Sequence, residues 1–131
     1  MTLVPNQPYP NLPAWEDLTP ELMNGWSTEG RLQYFQALSD RNSAEFAGRL
    51  LIGTTKVICR LPEHLRASAP RFIQGLIIGG PICLIELQGS GGSFYQLSLY
   101  ADSLGMTDTE MMNTYSGQYL SLSGKYTRKS V

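Results

Sequence analysis

From residue 31 onward the chain alternates with a period of two, interrupted every few residues by turn chemistry, and nowhere shows a long amphipathic-helix pattern. Leu32, Tyr34, Gln36 and Leu38 alternate with Gln33, Phe35 and Ala37. A strand sends successive side chains to opposite faces, so this is strand periodicity. Asp40-Arg41-Asn42-Ser43 has the polar residues of a tight turn, and a second strand is predicted over 44–53. A third covers 56–61 and stops at Leu61-Pro62. Segments 72–78 and 82–88 flank Gly79-Gly80-Pro81, where glycine tolerates a positive φ and proline resists strand pairing. Gly89-Ser90-Gly91-Gly92-Ser93 reads as a hairpin turn into a strand over 93–100, and a last strand spans roughly 118–126. Short strands at this spacing predict an all-β fold, an antiparallel β-sandwich or jelly roll. Residues 103–114 break the rhythm, and Met106, Met111 and Met112 place a short helical turn there.

The first 20 residues are different. They hold five of the eight prolines: Pro5, Pro8, Pro10, Pro13 and Pro20. Proline fixes φ and biases its predecessor toward extended backbone, so residues 1–14 are predicted to be neither helix nor central strand. The expectation is an extended arm over 1–23 followed by a β-sandwich domain over 24–131. Within the arm, 17–23 is predicted to make one helical turn, with Thr19 as N-cap and Pro20 in the first helical position. Val4, Tyr9, Leu12, Trp15 and the nearby Trp26 are the apolar contacts this region offers a partner.

Composition narrows the chemistry. Ten Lys and Arg against eleven Asp and Glu leave a formal charge of −1. Nucleic-acid binding rests on a basic face, so it is not expected. No apolar run approaches the length of a membrane span, and no basic-then-apolar leader opens the chain. Charged residues make up 16%, against a usual value of about 25%, so part of the surface is expected to be covered. Cys59 and Cys83 each sit in an apolar run and read as small buried hydrophobes; their spacing neither requires nor excludes a disulfide. His64 is the single histidine, so a zinc site lacks its further ligands and a Ser-His-acid triad has one candidate base but no nucleophile-elbow motif. No metal, no cofactor and no enzymatic activity are expected.

Four stretches occur in a fixed order: Asn24-Gly25-Trp26, Gly48-Arg49-Leu50-Leu51-Ile52-Gly53, Leu61-Pro62-Glu63-His64-Leu65-Arg66 after Cys59-Arg60, and Leu120-Ser121-Leu122-Ser123-Gly124-Lys125-Tyr126. Together they resemble a β-sandwich module of tailed bacteriophages, found as the head of tail fibres, in minor tail proteins and in related virion-surface proteins. The resemblance covers about residues 24–126. The chain departs from it at His64, where the module carries Gly, at Leu65, where it carries an aromatic residue, and at Ala67, where it carries Pro. The stretch 101–117 is also longer than the module's. The resemblance implies a homotrimer about a three-fold axis, made in the host cytoplasm and placed on the virion surface, with attachment at the N-terminal side and loops outward.

Two functions follow from that likeness. One is a non-enzymatic structural or decoration role, with the trimer fixed to the major capsid or tail proteins by its arms. A fibre tip sits on a long shaft, whereas about 23 residues precede this module, which favours the decoration role. The other is receptor binding to a host surface glycan through Tyr100, Asp102, Asp108, Glu110, Asn113 and Tyr115, a mixture of aromatic rings, carboxylates and an amide on a long loop. Asp102, Asp108 and Glu110 also supply the acids a glycosidase pair would need, but nothing indicates the apolar pocket that raises one of their pKa values.

Overall fold

The computed structural model describes residues 14–30 and 32–129. Val4, Tyr9 and Leu12, with Pro5, Pro8, Pro10 and Pro13, lie outside the described residues. The fold is all-β and antiparallel, as the alternation predicts. Its strands are β1 (Glu16–Asp17), β2 (Tyr34–Ser39), β3 (Ser43–Leu51), β4 (Val57–Arg60), β5 (Arg71–Ile77), β6 (Ile82–Ser90), β7 (Ser93–Tyr100) and β8 (Tyr119–Thr127). They form one curled sheet in the order β1-β2-β3-β8-β5-β6-β7-β4. No helix among the described residues is long and apolar enough to cross a membrane.

The alternation sets one face inward. Phe35 and Ala37, Ala44, Phe46 and Leu50, Ile73 and Ile77, Ile85 and Leu87, Leu97 and Leu99, Leu120 and Leu122 are all buried in one core. Three rings stack across adjacent strands: Phe35 on Phe46 at 6.1 Å and Phe46 on Tyr126 at 5.6 Å between centroids. Such cross-strand pairs stabilise a sheet beyond the area they bury. Tyr126 donates its hydroxyl to the Leu65 carbonyl, and burial pushes its pKa up. The inward position 75 is glycine because a Cβ there would lie 2.4 Å from Ile85 Cδ1. Cys59 and Cys83 are both buried and unpaired, and burial raises their thiols to about 12 and about 11.

The turns follow their chemistry. Gly91 and Gly92 close the β6–β7 hairpin with φ of 61° and 77°, the left-handed pair that a two-residue type I′ loop requires. At residues 40–43, Asp40 Oδ1 accepts from the backbone N–H of Asn42 (2.9 Å) and of Ser43 (2.8 Å). Those bonds lower the pKa of Asp40.

The N-terminal boundary lies earlier than residue 24. Glu16 and Asp17 pair with Ala37 and Gln36, extending the sheet beyond β2. Leu18 is only 1% exposed and donates its N–H to the Phe35 carbonyl at 2.8 Å. Five residues on, Leu22 bridges Cys59 of β4, and Met23 N–H donates to the Ile58 carbonyl at 3.0 Å. Residues 16–23 therefore reach from one edge of the curled sheet to the other and join them. The expected helical turn is a shorter 3-10 turn, Thr19–Glu21, with Pro20 in its opening positions. Its N-cap is Leu18 rather than Thr19, and Asp17 Oδ1, one residue earlier, accepts from Thr19 N–H (3.0 Å) and Thr19 Oγ1 (2.7 Å).

Leu18→Ala removes a fully buried side chain from this closure and is expected to destabilise the fold by about 3 kcal/mol in urea unfolding. A loss below about 1 kcal/mol would show that residues 16–23 are not part of the folded body.

Candidate functional site

The strand register sorts the connections into two ends. At one end lie the 40–42 turn, the Gly91–Gly92 hairpin and the end of β8. There His64, in the 3-10 turn Glu63–Leu65, bonds through Nε2 to Glu16 Oε1. Arg128 donates to the His64 carbonyl (2.7 Å) and Lys129 N–H to the Arg66 carbonyl (2.6 Å). Arg60 and Arg66 lie 4.9 and 5.6 Å from the centroid of the Tyr95 ring, a basic and aromatic cluster that sequence reading did not anticipate.

The opposite end carries the 52–56 connection, the Gly79–Gly80 turn, the 3-10 turn Ala101–Leu104 and the helix α1 (Asp108–Tyr115). Helix α1 opens with a capping box: Thr107 Oγ1 accepts from Glu110 N–H, and Glu110 Oε1 accepts from Thr107 N–H, each at 3.2 Å. Its Met111 and Met112 are buried, which holds the helix on the body. Ser116 Oγ donates to the Gly53 carbonyl at 2.7 Å and closes the far side.

Two hollows meet at this end, divided by the ion pair of Lys56 Nζ with Asp108 Oδ2 at 3.0 Å. One, about 250 Å³, is lined by Lys56, Glu86, Gln88, Tyr100, Asp102 and Asp108, with Leu99 and Ala101 behind. The other, about 370 Å³, is lined by Thr54, Thr55, Thr109, Met112 and Asn113 beside the same ion pair. Gln88 is held in place because its Oε1 accepts from Ser98 Oγ at 3.0 Å. Tyr100 packs its ring against Phe72 at 5.0 Å between centroids. The Asp102 carboxylate beside the Tyr100 hydroxyl raises its pKa, with smaller contributions from burial and Glu86. The ion pair is partly exposed, so it contributes under about 1 kcal/mol and opens at little cost to a competing polar ligand.

Four of the six loop residues singled out from sequence converge here: Tyr100, Asp102, Asp108 and Asn113. Glu110 has its carboxylate in the helix cap, and Tyr115 packs partly buried against the core. Lys56, Glu86 and Gln88 were not foreseen, because they come from other strands and connections. Among the described arm residues, Trp15 is exposed, whereas Trp26 is 3% exposed in the protein's own core. Its Nε1–H donates to the Thr55 carbonyl at 2.8 Å. Trp26 is thus a structural residue of this domain and has no free surface for a partner. Among the described residues, no group of three or more His, Cys, Asp or Glu is placed to hold a metal.

The site offers carboxylate and amide acceptors, ammonium and amide donors, and one aromatic ring. That set suits a polyhydroxylated ligand, whose hydroxyls both donate and accept. No protein-family model, no curated protein and no solved structure matches this chain.

Proposed function

We propose that this chain is a non-enzymatic bacteriophage virion structural protein, a small homotrimer of β-sandwich subunits fixed to capsid or tail by its N-terminal arm. The observation that carries this reading is the two-ended layout. The first described residues leave the sheet beside His64, Arg128 and Lys129, while α1 and the two hollows occupy the opposite end. An arm departing from one end anchors a subunit with its other end facing away from the particle. Anchoring by several arms at once multiplies affinity without any single strong contact.

The segments behind the phage likeness also meet in pairs. Thr54 N–H donates to the Asn24 carbonyl at 2.9 Å, and Gly53 leaves the space in which Trp26 sits: a Cβ there would lie 2.6 Å from the Trp26 ring. At the other end, Tyr126 reaches the Leu65 carbonyl. Each quoted segment therefore has a packing task that depends on another.

The convergence of Tyr100, Asp102, Asp108 and Asn113 favours a second reading, recognition of a host surface glycan by the outward end.

Two experiments separate these readings. A chain beginning at residue 14 keeps Leu18 in the core, so it is expected to fold and melt as the full chain does but to lose binding to virions lacking the protein. Full occupancy by the shortened chain would refute anchoring by the arm. For the glycan reading, a glycan array is expected to show binding by the full chain and at least a tenfold loss for Asp108→Ala. Equal signals from both proteins, or none at all, would remove that reading.

A further inference from the structure

We infer that Arg60, Arg66 and Tyr95 form a docking site for an acidic peptide segment of a partner protein. The inference rests on the anchoring reading above and gives the chemistry of the surface that receives the arm. Three elements build the site. Arg60 ends β4 and stands in register with Gln96 of β7, next to Tyr95. Arg66 follows the 3-10 turn Glu63–Leu65, and its Nε–H donates to the Leu61 carbonyl at 3.0 Å. That bond fixes the side chain and leaves its two Nη groups to a partner. Both guanidiniums lie against the same half-buried Tyr95 ring, 4.9 and 5.6 Å from its centroid.

The two arginines share a ring but have no counter-charge. The ion pairs among the described residues are Lys56 with Asp108 and His64 with Glu16. Of the acids on the neighbouring turns, Glu16 is held by His64, and Glu21 and Glu63 pair with neither arginine. The two ring distances cap the separation of the guanidiniums at on the order of 10 Å, about the Debye length at 0.1 M salt. Their mutual repulsion is therefore only partly screened. Arg128 and Lys129 add two more cations, the first bonded to the His64 carbonyl and the second, through its N–H, to the Arg66 carbonyl. The opposite end has the reverse balance, with Glu86, Asp102 and Asp108 around Lys56. Such a difference between ends orients a molecule toward an acidic partner.

Position and geometry select the occupant. His64 of this turn is tied to Glu16, close to residue 14, where the described chain begins. A surface that receives the arm therefore lies against the arginines. A planar guanidinium binds one carboxylate through two parallel N–H···O bonds, so two separate guanidiniums suit two carboxylates. Side chains two residues apart on an extended segment point the same way and stand about 7 Å apart, within the span that the Tyr95 ring sets. The apolar stems of those side chains then rest on the ring. The segment that fits is extended, with Asp or Glu at alternate positions.

Isothermal titration of the full chain with a short polyglutamate peptide tests this. Arg60→Gln and Arg66→Gln are the variants, and Arg41→Gln, exposed in the 40–42 turn, is the control. Thermal melting confirms that each protein is folded. The expected result is binding that weakens as salt rises, a loss of at least about tenfold in each site variant, and a change under about twofold for Arg41→Gln. Arg66→Gln also loses the bond to Leu61, so the exposed Arg60→Gln decides the matter if Arg66→Gln fails to fold. No binding by the parent, or equal weakening by all three variants, would overturn the site. Binding of inorganic phosphate or an oligonucleotide in preference to polyglutamate would overturn the acidic peptide as occupant. Binding that appears only after residues 130 and 131 are removed would show that the chain fills its own site, and the proposal would fail. Rebinding to virions lacking the protein separates this inference from the reading beneath it. Equal occupancy by the parent and Arg60→Gln would sink the arginine site while anchoring by the arm stands. No occupancy by either, with polyglutamate still bound, would sink anchoring and uphold the acidic-peptide site.

Discussion

The fold depends on one short segment holding two sheet edges together. A curled sheet whose outer strands did not meet would leave two rows of unpaired N–H and C=O groups, and such edges recruit other chains. Residues 16–23 prevent this by pairing with β2 at their start and with β4 at their end. Leu18 lies between these attachments with its side chain in the core. Asn24 and Trp26 continue the closure by bonding through their side chains to the Val57 and Thr55 carbonyls. Hydrogen bonds and buried apolar surface thus act through the same ten residues, and neither end of the closure is secure without the other.

Closure also gives the molecule its polarity. The described chain begins at the end that holds His64 and the C-terminal residues 128–129, and Glu16 ties that start to the His64 ring. Helix α1, the 3-10 turn Ala101–Leu104 and the 52–56 connection gather at the other end. The side of the sheet, between these ends, carries exposed apolar side chains on β5 and β6.

The strands were legible because each carries its own period. Residues 93–100 alternate cleanly, and the Gly91–Gly92 pair marks its turn without reference to the rest of the chain. The β2 alternation reaches back to Leu32, yet the strand begins at Tyr34, because Leu32 has a φ of 68° that strand geometry does not allow. The closure was not legible. Five prolines around a two-residue strand read as an arm, and nothing local says that Leu18 and Leu22 serve opposite edges. Trp26 was misplaced for the same reason, since its hydrogen-bond partner lies 29 residues away. Part of the site was found because Tyr100, Asp102, Asp108 and Asn113 are near one another in the chain. Lys56, Glu86 and Gln88 reach the same hollow only through the sheet register. The capping box of Thr107 and Glu110 explains why the Glu110 carboxylate is not free for a ligand.

Residues 16–23, bonded to both edges of the sheet, are as much part of the cooperative fold as the central strands. Native-state hydrogen exchange at the amides of Leu18 and Met23, which bond to the Phe35 and Ile58 carbonyls, measures this directly. Exchange of both only through global unfolding, with the protection of core amides in β3 and β8, is the predicted result. Exchange of these two amides through a separate opening of low free energy, while β3 and β8 stay protected, would contradict it.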